Sequence, residues 1–154
     1  MVKISETICR DDPYDLHRFT KAQRNTYDNA LAELRDGKKQ THWIWYIFPQ
    51  IDGLGHSTTS KRYSIKSIEE ARQYLNHPVL GKRLLECAKV ILAIEGHSIS
   101  GIFGHPDDMK LKSSMTLFAC IDSRSLLFAR ILDKYFNCER DVATLQLFEK
   151  IKEK

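Results

Sequence analysis

The chain has 154 residues, of which 42% are hydrophobic and 29% are charged, and its formal net charge is +4. This composition excludes a fibrous protein and long disordered tails, and the length suits one domain that folds without metal or disulfide cross-links. We therefore predict a single globular domain over residues 1–154, in which residues 1–11 form a flexible segment ahead of the first helix.

Location and partners follow from what the sequence lacks. No apolar run approaches the ~20 residues that cross a bilayer, and Met1 to Glu6 carry no apolar signal-peptide core. The four cysteines include no C-x-x-C pair, which excludes a zinc knuckle or a thioredoxin-like motif and indicates reduced thiols. The basic residues are scattered among acids, so a small anionic ligand fits the charge better than nucleic acid does. We predict a cytoplasmic protein, monomeric or weakly self-associating, that does not bind membranes.

The first predicted helix begins at Asp12 and ends near Asp36. Asp12 suits the N-cap position and Pro13 the first helical position, and Gly37 is typical of a helix stop. Between them, apolar residues recur at spacings of three and four, which predicts one buried stripe. The stripe consists of Leu16, Phe19, Gln23, Tyr27, Ala30, Leu31 and Leu34.

An aromatic block follows from Trp43 to Phe48, and it holds four of the fifteen aromatic residues. Burial of each large side chain stabilises a fold by roughly 1.5–3 kcal/mol, so this block belongs in the core. Its periodicity fits either a strand or a helix. We predict a short buried helix that Thr41 caps and Pro49 ends. The Gly53–Gly55 stretch then predicts a tight loop, for which phosphate binding is the weaker alternative.

The rest of the chain shows the pattern of further helices. Ser67 and Glu70 form a capping box, and Pro78 ends that helix and begins a second, amphipathic one that stops near Gly96. Additional helices are predicted over residues 98–103, from 107 onwards, over 123–136 and over 141–150. No stretch alternates as a strand does, so we predict an all-α bundle of about seven to eight helices around the buried aromatic helix.

Long sequence motifs extend across nearly the whole chain. They include His42-Trp-Ile-Trp-Tyr-Ile-Phe-Pro-Gln50, Gly53-Leu-Gly-x-Ser57, Glu70-Ala-Arg-x-Tyr-Leu-x-His-Pro78 and Asp107-Asp-x-Lys-Leu-x-Ser-Ser-Met-Thr-Leu-Phe118. These motifs resemble the DUF1810 family of Rv1873-like proteins. The resemblance implies a compact, mostly helical single domain, and it implies no reaction, because the activity of the family is not established. One departure is Cys138, where the family usually has glycine, and this affects the local turn.

The order of features is also similar, more remotely, to that of the NADAR/YbiA-like N-glycosidases, which act in ADP-ribose and riboflavin metabolism. Those proteins likewise combine an aromatic helix with a late helix that contains Lys, Met and Phe. This second likeness is an analogy at the level of the fold. It implies a hydrolase that acts on an N-glycoside-like ligand.

The polar edges of the aromatic block form one half of a candidate site. His42 could act as a general acid or base, or it could be a core-edge histidine bonded to a backbone carbonyl. Trp43 and Trp45 could stack on a flat base, or they could be core residues. Gln50 could read an amide or hydroxyl, with Ser57 at the same edge, or it could be a satisfied turn residue.

The helix that begins at Asp107 supplies the other half. Lys110, Lys112, Ser113 and Ser114 place two cations and two hydroxyls on adjacent faces, where they could hold a phosphate or carboxylate. The alternative for the two serines is close helix packing. Asp107 and Asp108 could move protons, or they could be electrostatic caps at the helix N-terminus. No histidine spacing suits a metal, and we predict neither metal nor cofactor.

These residues favour two functions. The first is a small-molecule pocket for a nucleotide-derived or phosphorylated ligand, with hydrolysis of a glycosidic bond by His42 together with Asp107 or Asp108. It requires that the tryptophan block and the Lys110–Ser114 helix form two walls of one cleft. The alternative is a non-enzymatic regulatory or protein-interaction module, which an exposed apolar patch would favour.

Overall fold

The structure is a computed structural model that describes residues 12–122 and 126–152. It confirms the all-α class, with ten helices in the described ranges rather than seven or eight. They are α1 His17–Gln23, α2 Tyr27–Arg35, α3 Ile44–Ile47, α4 Thr58–Arg62, α5 Ile68–Asn76, α6 Leu80–Ala93, α7 Ile99–Phe103, α8 Asp107–Ile121, α9 Leu127–Tyr135 and α10 Val142–Lys152. The predicted flexible segment 1–11 lies outside the described residues.

The single long helix predicted over residues 13–36 was wrong, because the chain forms two helices there. Asp12 does cap α1, since its carboxylate accepts from the amides of Leu16 at 2.7 Å and His17 at 2.9 Å. However, Asp15 has φ +51°, which excludes a helical turn from Pro13 onwards. A second break falls at Thr26, whose φ of −126° separates α1 from α2. Gly37 ends α2 in the left-handed region at φ +72°, as predicted.

The aromatic block forms the short helix α3, but Thr41 is not its cap. Trp43 occupies the N-cap position without a side-chain hydrogen bond, and the Thr41 hydroxyl donates to Glu33 at 2.6 Å instead. Phe48, directly before Pro49, is no longer helical, as the proline predicted. Beyond the proline, Ile51 and Ile65 form an isolated parallel bridge that closes the intervening loop.

Local capping signals further along the chain are confirmed. Ser67 accepts from the Glu70 amide at the start of α5, and Ser98 accepts from the Gly101 amide at the start of α7. The helix predicted over 123–136 spans Leu127–Tyr135, with Leu126 at its N-cap position, and residues 123–125 of that prediction lie outside the described ranges. Cys138, at the position where the family usually has glycine, has φ +67°, a conformation that favours glycine.

The core is a continuous aromatic and aliphatic cluster. The Tyr74 ring lies 4.9 Å from that of Phe19 and 5.7 Å from that of Phe118. Trp43 and Phe48 pack against each other and against Phe103. The long helix α8 contacts α3, α5, α7, α9 and α10, so it lies beside the aromatic helix at the centre of the bundle. No helix in the described ranges is long and apolar enough to span a membrane.

A buried arginine joins α1 to the chain between α4 and α5. Arg18 is 9% exposed and its Nη2 donates to Glu70 at 2.7 Å and to the Ser64 carbonyl at 3.0 Å. Its Nε donates to the Arg62 carbonyl, and its Nη1 donates to the carbonyls of Tyr14 and Asp15. All five guanidinium N–H groups therefore have acceptors, an arrangement that lysine could not reproduce.

Candidate functional site

The tryptophan block and the lysine-bearing helix meet in the structure. Lys110, in the first turns of α8, places its Nζ 4.9 Å from the ring centroid of Trp45 in α3. This distance is within the range of a cation–π contact. The two elements are distant in the sequence, so the contact brings together one member of each predicted half of the site.

A second lysine completes this arrangement. Lys39 Nζ lies 2.6 Å from Asp107 Oδ2, while Lys110 Nζ lies 3.5 Å from Asp107 Oδ1. The Lys39 side chain is only 5% exposed, and its Nζ also donates to the Thr41 carbonyl at 2.5 Å. We call Lys39, Trp45, Asp107 and Lys110 the Trp45 cluster. Its two cations and one carboxylate leave one positive charge beside the indole.

The Trp45 indole has unused hydrogen-bonding capacity. The residue is partly exposed, yet its Nε1 is shielded from solvent and has no hydrogen-bond partner among the described residues. Unpaired buried donors are rare in folded proteins and call for a specific explanation. A bound acceptor atom would satisfy this N–H.

A narrow hollow of about 20 Å³ lies beside Trp45. That volume admits about one water molecule. Asp52 presents a carboxylate there, and its Oδ1 accepts from the Ser64 hydroxyl at 2.7 Å. Gly53, at φ +108°, allows the sharp turn of the loop that borders the hollow. The lining residues are Trp45, Gln50, Ile51, Asp52, Gly53, Leu54, Gly55, Ser60, Tyr63 and Ser64.

Trp43, in contrast, is a core residue. It is 1% exposed, and its Nε1 donates to Glu33 Oε1 at 3.0 Å. Of the two interpretations that the sequence left open, the structure favours the core role, because the buried ring offers no face to a ligand. Lys39 covers it, with Nζ 4.9 Å from the ring centroid.

Glu33 organises the loop that leads into α3. Its carboxylate accepts from the side chains of Asn29, Thr41 and Trp43 and from the amides of Gln40 and Thr41. Burial alone would raise the pKa of Glu33, but the hydrogen bonds from Thr41, Gln40 and Trp43 lower it to about 2. The carboxylate is therefore charged at neutral pH, and neutral donors alone stabilise it.

The remaining predicted residues of the aromatic half lie apart from one another. His42 is exposed, and its carbonyl accepts from the Tyr46 hydroxyl at 3.3 Å. Gln50 is half-buried and lines the hollow, and its carbonyl accepts from the Ile65 amide. Ser57 is exposed and caps α4, since its hydroxyl accepts from the Ser60 amide. Gln50 is thus the one of these three residues that shares the hollow with Trp45.

Two of the predicted residues on α8, Ser113 and Lys112, make contacts outside the Trp45 cluster. Ser113 is buried and donates to the Met109 carbonyl at 3.1 Å and to Asp141 Oδ2 at 3.3 Å, so it joins α8 to the start of α10. Lys112 lies over the Phe136 ring at 5.8 Å, away from the Trp45 cluster. These contacts favour the packing interpretation for Ser113 and place Lys112 outside the candidate site.

Ser114 and Asp108 complete the predicted set. Ser114 is fully buried, and its hydroxyl has no hydrogen-bond partner. Asp108 Oδ1 accepts from the Met109 amide at 2.8 Å and lies 2.9 Å from His105 Nδ1. Asp108 is therefore engaged at the first turn of α8, as the capping alternative predicted, whereas Asp107 faces the two lysines.

The sequence missed Lys39 and Asp52. In the sequence, Lys38 and Lys39 form one of several scattered basic pairs. Only the contacts of Lys39 with Asp107 and Thr41 distinguish it from its neighbour. Asp52 stands at the edge of the aromatic block, a position that marks it as polar but assigns it no function. Within residues 12–122 and 126–152, no cluster of His, Cys, Asp or Glu could hold a metal ion.

The fold and the site define a class of helical protein in which a partly exposed tryptophan lies beside a lysine–aspartate–lysine group. A family model described as a protein of unknown function, DUF1810, matches residues 13–148. The chain therefore belongs to the DUF1810 family. The matched range contains every residue of the Trp45 cluster.

A solved structure is similar over almost the whole fold. It is the crystal structure of the conserved hypothetical protein Rv1873 from Mycobacterium tuberculosis, with 47% sequence identity and a TM-score of 0.88. The similarity covers 90% of this chain and 99% of that chain. No curated protein matches the chain. The comparisons thus agree with the helical fold.

Proposed function

We propose that this protein binds a small anionic ligand, nucleotide-derived or phosphorylated, at the Trp45 cluster. A flat ring of the ligand stacks on the exposed part of the Trp45 indole, and Lys110 contacts the anionic group. The observation that supports this proposal is the 4.9 Å approach of Lys110 Nζ to the Trp45 ring centroid. It joins a stacking surface to a cation, which are the two groups that such a ligand requires.

The charge distribution of the cluster supports an anionic ligand. Asp107 lies closer to Lys39 than to Lys110, at 2.6 Å against 3.5 Å. The Lys110 side chain is 27% exposed, whereas that of Lys39 is 5% exposed. Lys39 therefore neutralises Asp107 within the protein, and Lys110 keeps a positive charge that a phosphate or carboxylate can reach.

The size of the hollow defines how the ligand lies. About 20 Å³ is too small for a base or a sugar, because pockets that enclose drug-sized ligands measure roughly 300–1,000 Å³. The ligand ring therefore lies over the Trp45 surface, and a single acceptor atom enters the hollow to accept from the indole N–H. Gln50 and Asp52 line the same hollow and supply further polar contacts.

The hydrolase prediction has less support than binding. Asp107 is paired with two lysines, Asp108 is bonded at the helix start, and His42 is exposed. None of the contacts described above joins His42 to either carboxylate. Glycosidic hydrolysis by these three residues stays a prediction, as do the cytoplasmic location and the monomeric or weakly oligomeric state.

The alternative of an interaction module has no comparable support. Among the described residues, the exposed large hydrophobic side chains are Val79, Met109, Leu126 and Val142. They belong to four different segments of the chain, and exposed apolar side chains are common on protein surfaces. This function also stays a prediction.

Thermal-shift measurements with ADP-ribose, NAD, mononucleotides and sugar phosphates test the proposal. A ligand present at one hundred times its dissociation constant stabilises the folded state by about 2.7 kcal/mol, which raises the melting temperature of a domain of this size by roughly 5–10 °C. Lys110→Gln should weaken binding about tenfold, which corresponds to about 1.4 kcal/mol.

Lys112→Gln is the matched control, because it removes the same charge from the same helix at a residue that contacts Phe136 instead. It should leave affinity unchanged. The proposal fails if no compound in the panel shifts the melting temperature, or if the Lys110 and Lys112 variants bind equally well.

A further inference from the structure

Helix α6 begins without a capping side chain at its N-cap residue, Val79. The nearest acceptor is the imidazole of His77. Its Nδ1 accepts from the amide of Val79 at 3.1 Å and from the amide of Leu80 at 3.1 Å. These amides belong to the set that has no partner within a helix, so His77 takes the place that Ser, Thr or Asp usually occupies.

This geometry fixes the protonation state of the ring. A nitrogen that accepts from two N–H donors must carry no proton itself, so neutral His77 has its proton on Nε2. Protonation of Nδ1 would turn the acceptor into a donor that faces two donors. It would also place a positive charge at the positive end of a 14-residue helix. Both effects oppose protonation in the folded state.

The surroundings of His77 contain few charged groups. His77 is half-buried and lines a cavity of about 340 Å³ between the start of α1 and the junction of α5 with α6. The titratable groups that share this cavity are Asp12, Tyr14 and His17. Burial lowers the pKa of His77, and the Asp12 carboxylate opposes that shift without reversing it.

The junction itself is tightly packed. A Cβ atom at Gly81 would lie 1.9 Å from the Leu75 carbonyl oxygen, so the first turn of α6 touches the last turn of α5 through a bare backbone. His77 also donates its own amide to the Tyr74 carbonyl at 3.2 Å. The backbone of His77 is therefore fixed at this junction, and its neutral ring is held by the two amides that donate to Nδ1.

We propose that His77 is a proton-sensitive cap, whose neutral ring holds the first turn of α6 and whose protonation releases that turn beside the cavity. The released cation turns towards Asp12, which caps α1 on the opposite side of the cavity. The first turns of α1 and α6 thus respond together to acid. This inference is independent of ligand binding at the Trp45 cluster.

Amide hydrogen exchange measured by NMR at pH 7.5 and pH 5 tests the proposal in the full chain. The protection factors of the Val79 and Leu80 amides should fall at least tenfold at pH 5. In His77→Asn they should stay constant, because the Asn side-chain oxygen can accept from the same amides and does not titrate. His56→Asn, at an exposed histidine, is the control and should behave like the wild type.

A second measurement needs no variant. Nitrogen-15 spectra of the wild-type imidazoles at pH 7.5 should show His77 as the Nε2–H tautomer, and a pH series should show that its pKa is below the ordinary value of a histidine. A proton on Nδ1 at pH 7.5 would overturn the proposal. An equal loss of Val79 and Leu80 protection in wild type and His77→Asn would overturn it as well.

Discussion

Trp43 and Trp45 stand two residues apart at the same four-residue helix, yet they differ in exposure and in the hydrogen bonding of the indole N–H. Trp43 is 1% exposed, and its indole N–H donates to a buried carboxylate. Trp45 is partly exposed, and its N–H has no partner. Each ring carries a lysine, Lys39 over Trp43 and Lys110 over Trp45. The comparison separates a group whose interactions are complete from one that can still accept a ligand.

Lys39 and Lys110 differ in exposure in the same way as the two tryptophans. Lys39 is nearly buried and bonds to both Asp107 and the Thr41 carbonyl, whereas Lys110 is 27% exposed and lies farther from Asp107. One half of this region therefore stabilises the fold, and the other half faces outward. If this distinction is correct, substitutions in the Trp43 half should change stability and substitutions in the Trp45 half should change binding.

The largest expected difference is between the two tryptophans. Trp43→Ala should lower the free energy of unfolding by about 3–5 kcal/mol, because it leaves a cavity in the core and removes one of the hydrogen bonds that the Glu33 carboxylate accepts. Trp45→Ala should cost only about 1–2 kcal/mol, since the ring is already partly hydrated. Urea denaturation of both variants measures the difference. Equal losses would contradict the assignment of the two rings to different functions.

Glu33→Gln should destabilise the protein by about 2–3 kcal/mol at pH 7. The reason is that the amide NH₂ of glutamine would face N–H and O–H groups whose hydrogen bonds the carboxylate now accepts. The pKa of Glu33 is lowered from an ordinary value of 4.5 to about 2 in the folded protein. Its contribution, about 3 kcal/mol, is therefore complete above pH 4.5 and is lost as the pH falls towards 2.

Stability measured against pH in the wild type and in Glu33→Gln checks this prediction. The difference between the two proteins should shrink steadily below pH 4.5. A difference that stays constant down to pH 2 would show that the charge of Glu33 does not stabilise the loop. Glu95→Gln, at a carboxylate that is 86% exposed, is a suitable control and should have little effect at any pH.

Lys39→Met should cost about 1.5–3 kcal/mol, since it removes the closer and more buried of the two cations paired with Asp107 and the charged donor to the Thr41 carbonyl. Lys110→Met removes only a partly exposed ion pair and should cost about 0–1 kcal/mol. Thermal or urea unfolding of the two variants gives the comparison directly. A larger loss for Lys110 than for Lys39 would reverse the assignment of structural and ligand-facing lysines.

The smallest expected effect is spectroscopic. In Trp43→Phe the remaining fluorescence comes from Trp45, and acrylamide should quench it more strongly than it quenches Trp43 in Trp45→Phe. The reason is that only the Trp45 ring reaches solvent. A saturating ligand at the Trp45 cluster should reduce the quenching of Trp45 and leave that of Trp43 unchanged. Equal protection of both rings would indicate a global change rather than local binding.

The sequence predicted the helices whose signals are local. Ser67 and Ser98 each cap a helix through an amide three residues away, and Gly37 ends α2 by its own backbone conformation. The break between α1 and α2 was missed, because Gln23 lies at the end of α1 with its side chain bonded to the Tyr46 carbonyl and to the Tyr74 hydroxyl. Those partners are distant in the sequence, and no local pattern reveals them.

The candidate site likewise combines residues that the sequence pattern indicated with residues whose contacts appear only in the folded chain. Trp45 and Gln50 were named as candidates from their positions in and beside the aromatic block, and Lys110 from the group of cations and hydroxyls on the helix that begins at Asp107. The sequence did not tell which of Trp43 and Trp45 is the buried one. Residues two apart in a helix point roughly 200° away from each other, and the pattern does not say which side faces the core. Glu33 and Lys39 acquire their functions from contacts that exist only in the folded chain.

The five acceptors of Arg18 have a consequence for the Trp45 hollow. Ser64 lines that hollow, and its carbonyl accepts from Arg18, which also holds the carbonyls of Arg62 and Tyr14. The hydrogen bond from Arg18 therefore connects α1 to the Ser64 side of the hollow. We expect α1 and residues 62–64 to open as one cooperative unit, so that loss of the guanidinium would loosen the Ser64 side of the hollow.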